Sequence, residues 1–160
     1  MSEADDVHDD KQAWRERVWE AMREAHVARF PGAKGRIPNF TGAEKAAALL
    51  TTTDAWERTH TLKANPDLPQ LPARVEALKA GKTVVMAVPR LRTPEPFLLL
   101  DPDRLEVAPR KAASIGGSDT HGVPTGVAEV PKLDLVVCGS VCVSRQGVRI
   151  GKGGGFSDLE

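Results

Sequence analysis

The sequence predicts an α/β protein with a largely parallel sheet that is covered on both faces. Short apolar runs of strand length alternate with segments in which apolar residues recur at helical spacing, as is typical of βαβ units. Residues 83–88 are almost continuously apolar, as expected of a strand that is buried on both faces. The chain has 160 residues, the usual length of one domain. We therefore expect residues 10–160 to form a single α/β domain.

The N-terminal region is expected to form a long amphipathic helix after a loose start. Residues 1–9 are acidic and are expected to be disordered. Asp10 is the expected N-cap, and apolar residues recur at helical spacing from Trp14 onward. The helix is expected to end near Phe30, because Pro31 follows.

A second helix and the first strand are expected next. Thr41 and Glu44 have the spacing of a capping box, which predicts a helix that continues to Leu50. After a short turn around Trp56, residues 59–64 form the first predicted strand. That strand runs into the turn signal Asn-Pro-Asp.

The remainder of the chain supplies one more helix and the other strands. Pro72 is expected at the first position of a helix that Gly81 ends. Residues 110–125 are rich in Gly, Ser and Ala without periodicity, and we expect a mobile loop over the site. Ligands of such sheets bind beyond the carboxyl ends of the strands. The remaining strands and extended pieces are expected at residues 83–88, 97–100, 133–138, 141–144 and 148–150.

Composition argues against several classes of function. Lys plus Arg and Asp plus Glu both number 22, so no net charge favours nucleic acid or anionic lipid. The apolar stretches are too short to span a bilayer, and the acidic start is not a secretory signal. The four histidines lack metal-ligand spacing, and no Gly-x-Ser-x-Gly pattern is present. We expect a cytoplasmic monomer or weak dimer that binds a small molecule, without a nucleic-acid or membrane partner.

The strongest chemical signal is a glycine-rich segment near the end of the chain. Gly151, Gly153, Gly154 and Gly155 surround Lys152, and a helix start is expected behind them. Such glycines allow backbone N–H groups to approach an anion closely, and a helix N-terminus favours negative charge. The spacing of a Walker A motif is absent. The alternatives are phosphate binding and a flexible tail.

Four charged residues are further candidates. Lys11 and Arg15 are four positions apart on the first helix, where they either share an anionic ligand or form a solvated face. Asp158 follows the glycines and either holds Mg²⁺ or favours the helix start by its charge. Asp67 follows the first strand, as a ligand-binding carboxylate or as an ordinary turn residue.

Together these motifs resemble the 5-formyltetrahydrofolate cyclo-ligase family. Residues 133–137 are similar to its strand after Asp, and residues 147–158 to its signature Gly-x-Arg-Leu-Gly-x-Gly-x-Gly-Tyr-Tyr-Asp. Lys11 and Arg15 are similar to its opening Lys-x-x-x-Arg. Residues 36–40, 65–67, 139–141 and 157–160 look more like a divergent branch, that of the methenyltetrahydrofolate synthase domain-containing proteins.

The resemblance implies a Rossmann-like three-layer fold and a reaction. With ATP and Mg²⁺, 5-formyltetrahydrofolate becomes 5,10-methenyltetrahydrofolate while ADP and phosphate are released. Positioning and charge neutralisation supply most of the catalysis in such a phosphoryl transfer. The resemblance implies that Lys11 and Arg15 contact the phosphates and that Arg149 and Lys152 are catalytic. It also implies Mg²⁺ binding by Asp158 and substrate binding by Asp67. The implied phosphate cradle consists of Gly151, Lys152, Gly153, Gly154, Gly155 and Phe156.

The chain also departs from the family signature. Phe156 and Ser157 stand where the family has two tyrosines, and Asp67 stands where a glutamate is common. The family continues beyond the position of Glu160, so we expect the C-terminal part of its fold to be missing here. Two hypotheses follow, an ATP- and Mg²⁺-dependent ligase acting on a reduced folate, and a non-catalytic module of the same fold that binds a nucleotide or a pterin.

Overall fold

The computed structural model describes residues 3–88 and 93–155, and of residues 3–8 the backbone alone. By its contacts the chain divides into two compact units, Met1–Thr41 with Gly139–Glu160, and Gly42–Cys138. We call the first the helical unit and the second the sheet unit. Each has a hydrophobic core of its own. The expectation of a single domain over residues 10–160 stays a prediction.

Helices and strands alternate along most of the described chain. In order they are α1 (Glu3–Glu24), α2 (Ala43–Leu50), α3 (Asp54–Glu57), β1 (Thr61–Ala64), α4 (Leu71–Lys79), β2 (Thr83–Ala87), β3 (Phe97–Leu100), α5 (Pro109–Ala112), α6 (Ile115–His121), β4 (Val123–Thr125), β5 (Leu135–Val137), β6 (Cys142–Val143) and β7 (Arg149–Ile150). The strands predicted at residues 59–64, 83–88, 97–100 and 133–138 therefore all form, with small differences at their ends.

The sheet unit is built on a five-stranded sheet in the order β4-β3-β2-β1-β5. Strand β1 is parallel to both β2 and β5, whereas β3 is antiparallel to β2 and to β4. It follows that β3 alone opposes the direction of the other strands of this sheet. The predicted α/β class and mostly parallel, Rossmann-like sheet are confirmed.

Both faces of this sheet carry buried apolar side chains. On one face Leu62 of β1 pairs in register with Val84 of β2, and both are fully buried against α4 and α5. The other face includes Val85 and Phe97, which are also buried. Within α4, Val75 and Leu78 point into the core as the helical spacing predicts. A strand pattern without alternation is thus explained by burial on both sides.

The helical unit packs the connection after α1 and the β6–β7 hairpin onto one face of α1. Trp19 is buried with Ala33 and Val141, and its indole nitrogen donates a hydrogen bond to the Arg36 carbonyl oxygen at 3.1 Å. The hairpin pairs Cys142 with Ile150 in antiparallel register. This indole thus fixes a long connection to the middle of α1.

Helix α1 differs from its prediction at both ends. It begins at Glu3, inside the stretch predicted to be disordered, and not at Asp10. The acidic residues at its start have the charge that a helix N-terminus favours. It ends at Glu24, because His26 adopts a left-handed conformation with φ 53°. The Val27 N–H then donates to the Met22 carbonyl, as in a Schellman motif, well before Phe30.

The predicted capping box of α2 is wrong. The N-cap residue is Gly42, with φ 103°, and it has no side chain that could cap the helix. Thr41 instead donates its N–H to the Val27 carbonyl at 2.8 Å. The predicted end of this helix at Leu50 is confirmed.

The predicted mobile loop over residues 110–125 is also wrong, since α5, α6 and β4 occupy most of it. Ala113 is fully buried beside α5, and Ser114 caps α6 by accepting a hydrogen bond from Gly117 N–H at 3.0 Å. A Cβ atom at Gly117 would overlap with the Lys111 carbonyl oxygen. The low helix propensity of this composition is therefore overridden by packing that requires small residues.

Candidate functional site

The glycine segment is attached to helix α1 through Arg15. The Arg15 side chain is buried, and its Nε donates to the Gly151 carbonyl oxygen at 2.7 Å. Its Nη1 donates to Gln12 Oε1 at 3.2 Å, which keeps the guanidinium group on the helix surface. A hydrogen bond from a charged donor is stronger than one between neutral groups. Arg15 is therefore an anchor for the main chain where the glycines begin.

Gly153 lies against the same guanidinium group. Its φ is 96°, a left-handed conformation that L side chains rarely adopt. A Cβ atom at this position would lie 3.3 Å from Arg15 Cζ, so a side chain would press on the anchor. The positive φ therefore favours glycine here, and a side chain would also require the Arg15 guanidinium group to shift.

Arg149 is at the base of the same segment, in β7. Its Nε donates to Ser140 Oγ at 3.1 Å, and its Nη2 donates to the Gly139 carbonyl oxygen at 3.0 Å. These contacts join the entry and exit of the β6–β7 hairpin. The predicted catalytic role of Arg149 stays a prediction.

The other predicted phosphate-binding residues differ in burial. Lys11 is exposed on α1, four residues before Arg15. Lys152, Gly154 and Gly155 are exposed as well. The structure thus unites Arg15 with Gly151 and Gly153, while Lys11 and Lys152 present their charges to solvent. Phe156 and Asp158 lie outside the described residues, so their predicted roles stay predictions.

Asp67, the predicted substrate-binding residue, belongs to the sheet unit. It follows the carboxyl end of β1 directly after Asn65 and Pro66, and it is the N-cap of the 3-10 turn Leu68–Gln70 without capping through its side chain. The carboxyl ends of parallel strands are the edge at which α/β proteins bind ligands. This location agrees with the predicted role, which stays a prediction.

Arg74 is a residue that the sequence reasoning missed. It is 1% exposed within α4, and its guanidinium group donates to main-chain carbonyls that precede the helix, such as Asp67 O at 3.1 Å, and to Ala113 O after α5 at 3.0 Å. Burial lowers the pKa of Arg74 to about 10, against an opposing effect of the nearby Asp67 carboxylate. A signal was present, because Arg74 lies four residues before the inward-facing Leu78.

Asp134 acts at the opposite, amino end of β1. Its Oδ2 accepts hydrogen bonds from His60 N–H at 2.8 Å and Thr61 N–H at 3.0 Å. The hydrogen bonds from Thr61 and His60 hold the pKa of this carboxyl below its usual range. A cavity of about 340 Å³ lies at this end, lined by Ala55, Arg58, Thr59, Lys132, Leu133 and Asp134. The Asp134 contacts serve strand alignment.

The described part of the chain lacks two features, a metal-ligand cluster and a membrane-spanning helix. Within residues 3–88 and 93–155, no His, Cys, Asp and Glu side chains form a group of three or more that could hold a metal ion. In the same part of the chain, no helix has the length and apolar character needed to cross a membrane.

The mostly parallel sheet and the arginine-anchored glycine segment define the class: this is an α/β protein of Rossmann-like architecture. Comparison with known proteins identifies the family. The sequence model of the 5-formyltetrahydrofolate cyclo-ligase family matches residues 7–160, and the chain belongs to that family. The resemblance inferred from the motifs is thereby confirmed.

Its curated relatives carry the name methenyltetrahydrofolate synthase domain-containing protein. That of Mus musculus is 42% identical over 158 residues, covering 94% of this chain and 41% of the relative. Those of Bos taurus and Homo sapiens are 40% and 39% identical, and each match covers 94% of this chain and 40% of the relative. The chain thus spans about two fifths of the length of the curated relatives it matches.

Proposed function

We propose that this protein is an ATP- and Mg²⁺-dependent, 5-formyltetrahydrofolate cyclo-ligase-like enzyme. Family membership supports the folate-related class. The observation that carries the proposal is the packing of Gly153 against Arg15, which places a glycine-only main chain next to a fixed cation. Polyphosphate groups are bound by such combinations of backbone N–H groups and positive charge.

The residues present fit the phosphate groups of ATP. Arg15 holds Gly151 in place. Lys11 and Lys152 are exposed, so their ammonium groups can reach an anion. ATP supplies the phosphoryl group that activates the formyl oxygen, before ring closure by the folate nitrogen releases phosphate. In this proposal Lys152 neutralises charge that develops on the transferred group, and Arg149 aligns the loop and the formyl group.

Asp158 and Phe156 lie outside the described residues, and we propose roles for them from the family resemblance alone. Asp158 would hold Mg²⁺, since this ion prefers oxygen ligands. Phe156 is proposed as part of the phosphate cradle, as the family resemblance implies. Asp158→Asn is expected to raise the Mg²⁺ concentration at half-maximal activity, and an unchanged Mg²⁺ titration would contradict this assignment.

Asp67 is the proposed substrate-binding carboxylate. A carboxylate accepts hydrogen bonds from adjacent N–H groups, which a pterin ring offers. Its side chain is one methylene shorter than the glutamate common in the family, so its carboxylate reaches less far from the main chain toward the pterin. We further propose a cytoplasmic location. We also propose that the protein is a monomer or weak dimer, and sedimentation of the purified chain measures this oligomeric state.

The deciding experiment is isothermal titration of the purified chain with ATP and Mg²⁺, with and without 5-formyltetrahydrofolate, together with an assay of ADP release. We expect ATP binding that Lys152→Ala weakens about tenfold, since hydrogen bonds to charged groups contribute roughly 1.5–3 kcal/mol. Lys34→Ala, at another exposed lysine of the helical unit, is the matched control and should leave the titration unchanged. Absence of ATP binding would refute the proposal.

A second candidate function is a non-catalytic nucleotide- or pterin-binding module. The observation that favours it is that Arg15 and Arg149 both use guanidinium donors on main-chain carbonyls of their own unit. The same experiment separates the two functions. Ligand binding without ADP release supports the module, whereas folate-dependent ADP release supports the enzyme.

A further inference from the structure

Arg74 donates hydrogen bonds to the main chain just beyond the carboxyl end of β1. Its Nη1 donates to the carbonyl oxygens of Asn65 and Asp67, the latter at 3.1 Å, and its Nη2 donates to that of Pro66 at 3.4 Å. Its Nε donates to Ala113 O at 3.0 Å. One side chain therefore holds three consecutive carbonyls of residues 65–67 and ties them to the residue that follows α5.

An arginine at this buried position of α4 is unfavourable in free energy, because its charge is removed from water. The guanidinium group is 1% exposed, and burial of a charge is unfavourable unless donors and acceptors are matched. Its neighbours Ala73, Val75 and Ala77 are all buried, so an apolar side chain at position 74 would suit this helix. Core packing therefore does not explain an arginine here, whereas binding of the three carbonyls does.

The side chains of Asn65 and Gln70 use only part of their hydrogen-bonding capacity. Gln70 Oε1 accepts the Asn65 N–H at 2.9 Å. Yet Asn65 Oδ1 and Gln70 Nε2 are buried and have no hydrogen-bond partner within the described part of the chain. Buried polar atoms without partners destabilise a conformation. The donors of Arg74 therefore supply main-chain contacts in this segment that these two side chains do not.

We propose that Arg74 is a positioning residue for substrate binding. By fixing the carbonyls of Asn65, Pro66 and Asp67, it determines the direction in which the Asp67 carboxylate leaves the carboxyl end of β1. The Asp67 carboxylate is therefore already oriented when the pteridine ring of the reduced folate binds. The ligand in this inference rests on the proposed function, whereas the restraint on residues 65–67 does not.

The test compares Arg74→Lys with the wild-type chain and with Arg104→Lys, a control at an exposed arginine of the same unit. Lysine retains the charge but lacks the planar fork that reaches several acceptors. We expect amide hydrogen exchange at residues 65–70 to accelerate about tenfold or more, with unchanged exchange in β2 and β3. Affinity for 5-formyltetrahydrofolate should fall about tenfold while affinity for ATP is retained.

A double-mutant cycle separates positioning from general support of the fold. In an Asp67→Asn background, Arg74→Lys should cause no further loss of folate affinity, because the group that Arg74 positions is already altered. An equal, additive loss in both backgrounds would overturn the positioning role. Unchanged exchange at residues 65–70, or exchange that accelerates throughout the sheet unit, would overturn it as well.

Failure of the proposed function has a different signature. If the wild-type chain does not bind 5-formyltetrahydrofolate, the proposed function is wrong, and the exchange measurement alone decides whether Arg74 restrains residues 65–67. If Arg74→Lys does not fold, the neutral Arg74→Gln takes its place in the same measurements. Unfolding of both variants would mean that Arg74 supports the whole unit, which contradicts a specific role.

Discussion

Arg15, Arg74 and Arg149 each donate to at least one main-chain carbonyl oxygen. A guanidinium group has five N–H donors in a fixed plane, so it can hold several acceptors that a lysine cannot reach together. At the scale of single residues, these arginines fix the conformation of chain segments next to the predicted ligand-binding groups. They are therefore expected to influence binding through the backbone as well as through their charge.

The glycine at position 153 yields a prediction with an internal control. Gly153→Ala and Gly147→Ala both place a side chain at positive φ, which costs about 1–2 kcal/mol. At Gly147 no described atom lies within 4 Å of the added Cβ, whereas at Gly153 it would contact Arg15. In urea unfolding we expect a larger loss of stability for Gly153→Ala, and in titration a loss of ATP affinity for that variant alone. Equal behaviour of the two variants would contradict the close approach.

Asp134 yields a prediction about pH. Hydrogen bonds from Thr61 and His60 make the pKa of its carboxyl lower in the folded than in the unfolded chain. Its contribution to stability is therefore present above the unfolded pKa of about 3.9 and is lost as pH falls through the folded value. The difference in free energy of unfolding between wild type and Asp134→Asn should shrink between about pH 7 and about pH 3. Asp119→Asn, at an exposed position of α6, is the control, and a constant difference for Asp134→Asn would refute this linkage.

At the scale of elements, β1 is contacted by side chains of other elements at both of its ends. It pairs with both β2 and β5, Asp134 contacts its amino end, and Arg74 holds the segment beyond its carboxyl end. This four-residue strand is therefore held both by its neighbours in the sheet and by hydrogen bonds at its ends. The neighbouring α4 begins at Leu71, so Pro72 is its second residue and not its first as predicted, and the helix ends near Gly81, whose φ of 72° suits glycine.

The buried face of β1 permits a prediction of stability. Leu62 is fully buried, so Leu62→Ala should destabilise the protein by about 2–5 kcal/mol through lost apolar burial and a residual cavity. Leu49→Ala, at a leucine of α2 that is 69% exposed, should change stability by less than about 0.5 kcal/mol. Chemical unfolding of both variants checks this expectation, which fails if the two leucines cost the same.

At the scale of the whole molecule, the two compact units carry different predicted ligand groups. The helical unit contains Arg15, Lys152 and the glycine segment, and the sheet unit contains Asp67 and Arg74. Each unit has a separate core, so local changes in one need not destabilise the other. The proposed assignment of phosphate groups to one unit and pterin to the other can therefore be tested by substitution.

We predict a separation of ligand affinities between two single variants. Lys152→Ala should weaken ATP binding about tenfold and leave binding of 5-formyltetrahydrofolate unchanged, and Asp67→Asn should do the reverse. Calorimetric titration of each variant with each ligand measures both effects. Loss of both ligands in either variant would contradict the assignment.

The sequence by itself determined the α/β class, the mostly parallel sheet, the positions of most strands and the family. These features depend on the period of apolar residues and on turn residues such as Pro72 and Gly81, which act locally. Arg15, Lys152 and Asp67 could also be named as candidates from short local motifs, and their roles in ligand binding stay predictions. The end of α1, the cap of α2 and the helices within residues 110–125 were not, because left-handed His26 and buried Ala113 depend on packing.

Only the tertiary structure decided how the candidate residues are used. The spacing of Lys11 and Arg15 indicated two similar cations, but burial makes Arg15 an anchor for Gly151, 136 positions away, while Lys11 remains exposed. Arg74 acquires its role by contacting Ala113, 39 positions away. Hydrogen bonds between such distant residues form only when the chain is folded, so no local pattern encodes them, and a guanidinium group alone does not reveal which carbonyls it will bind.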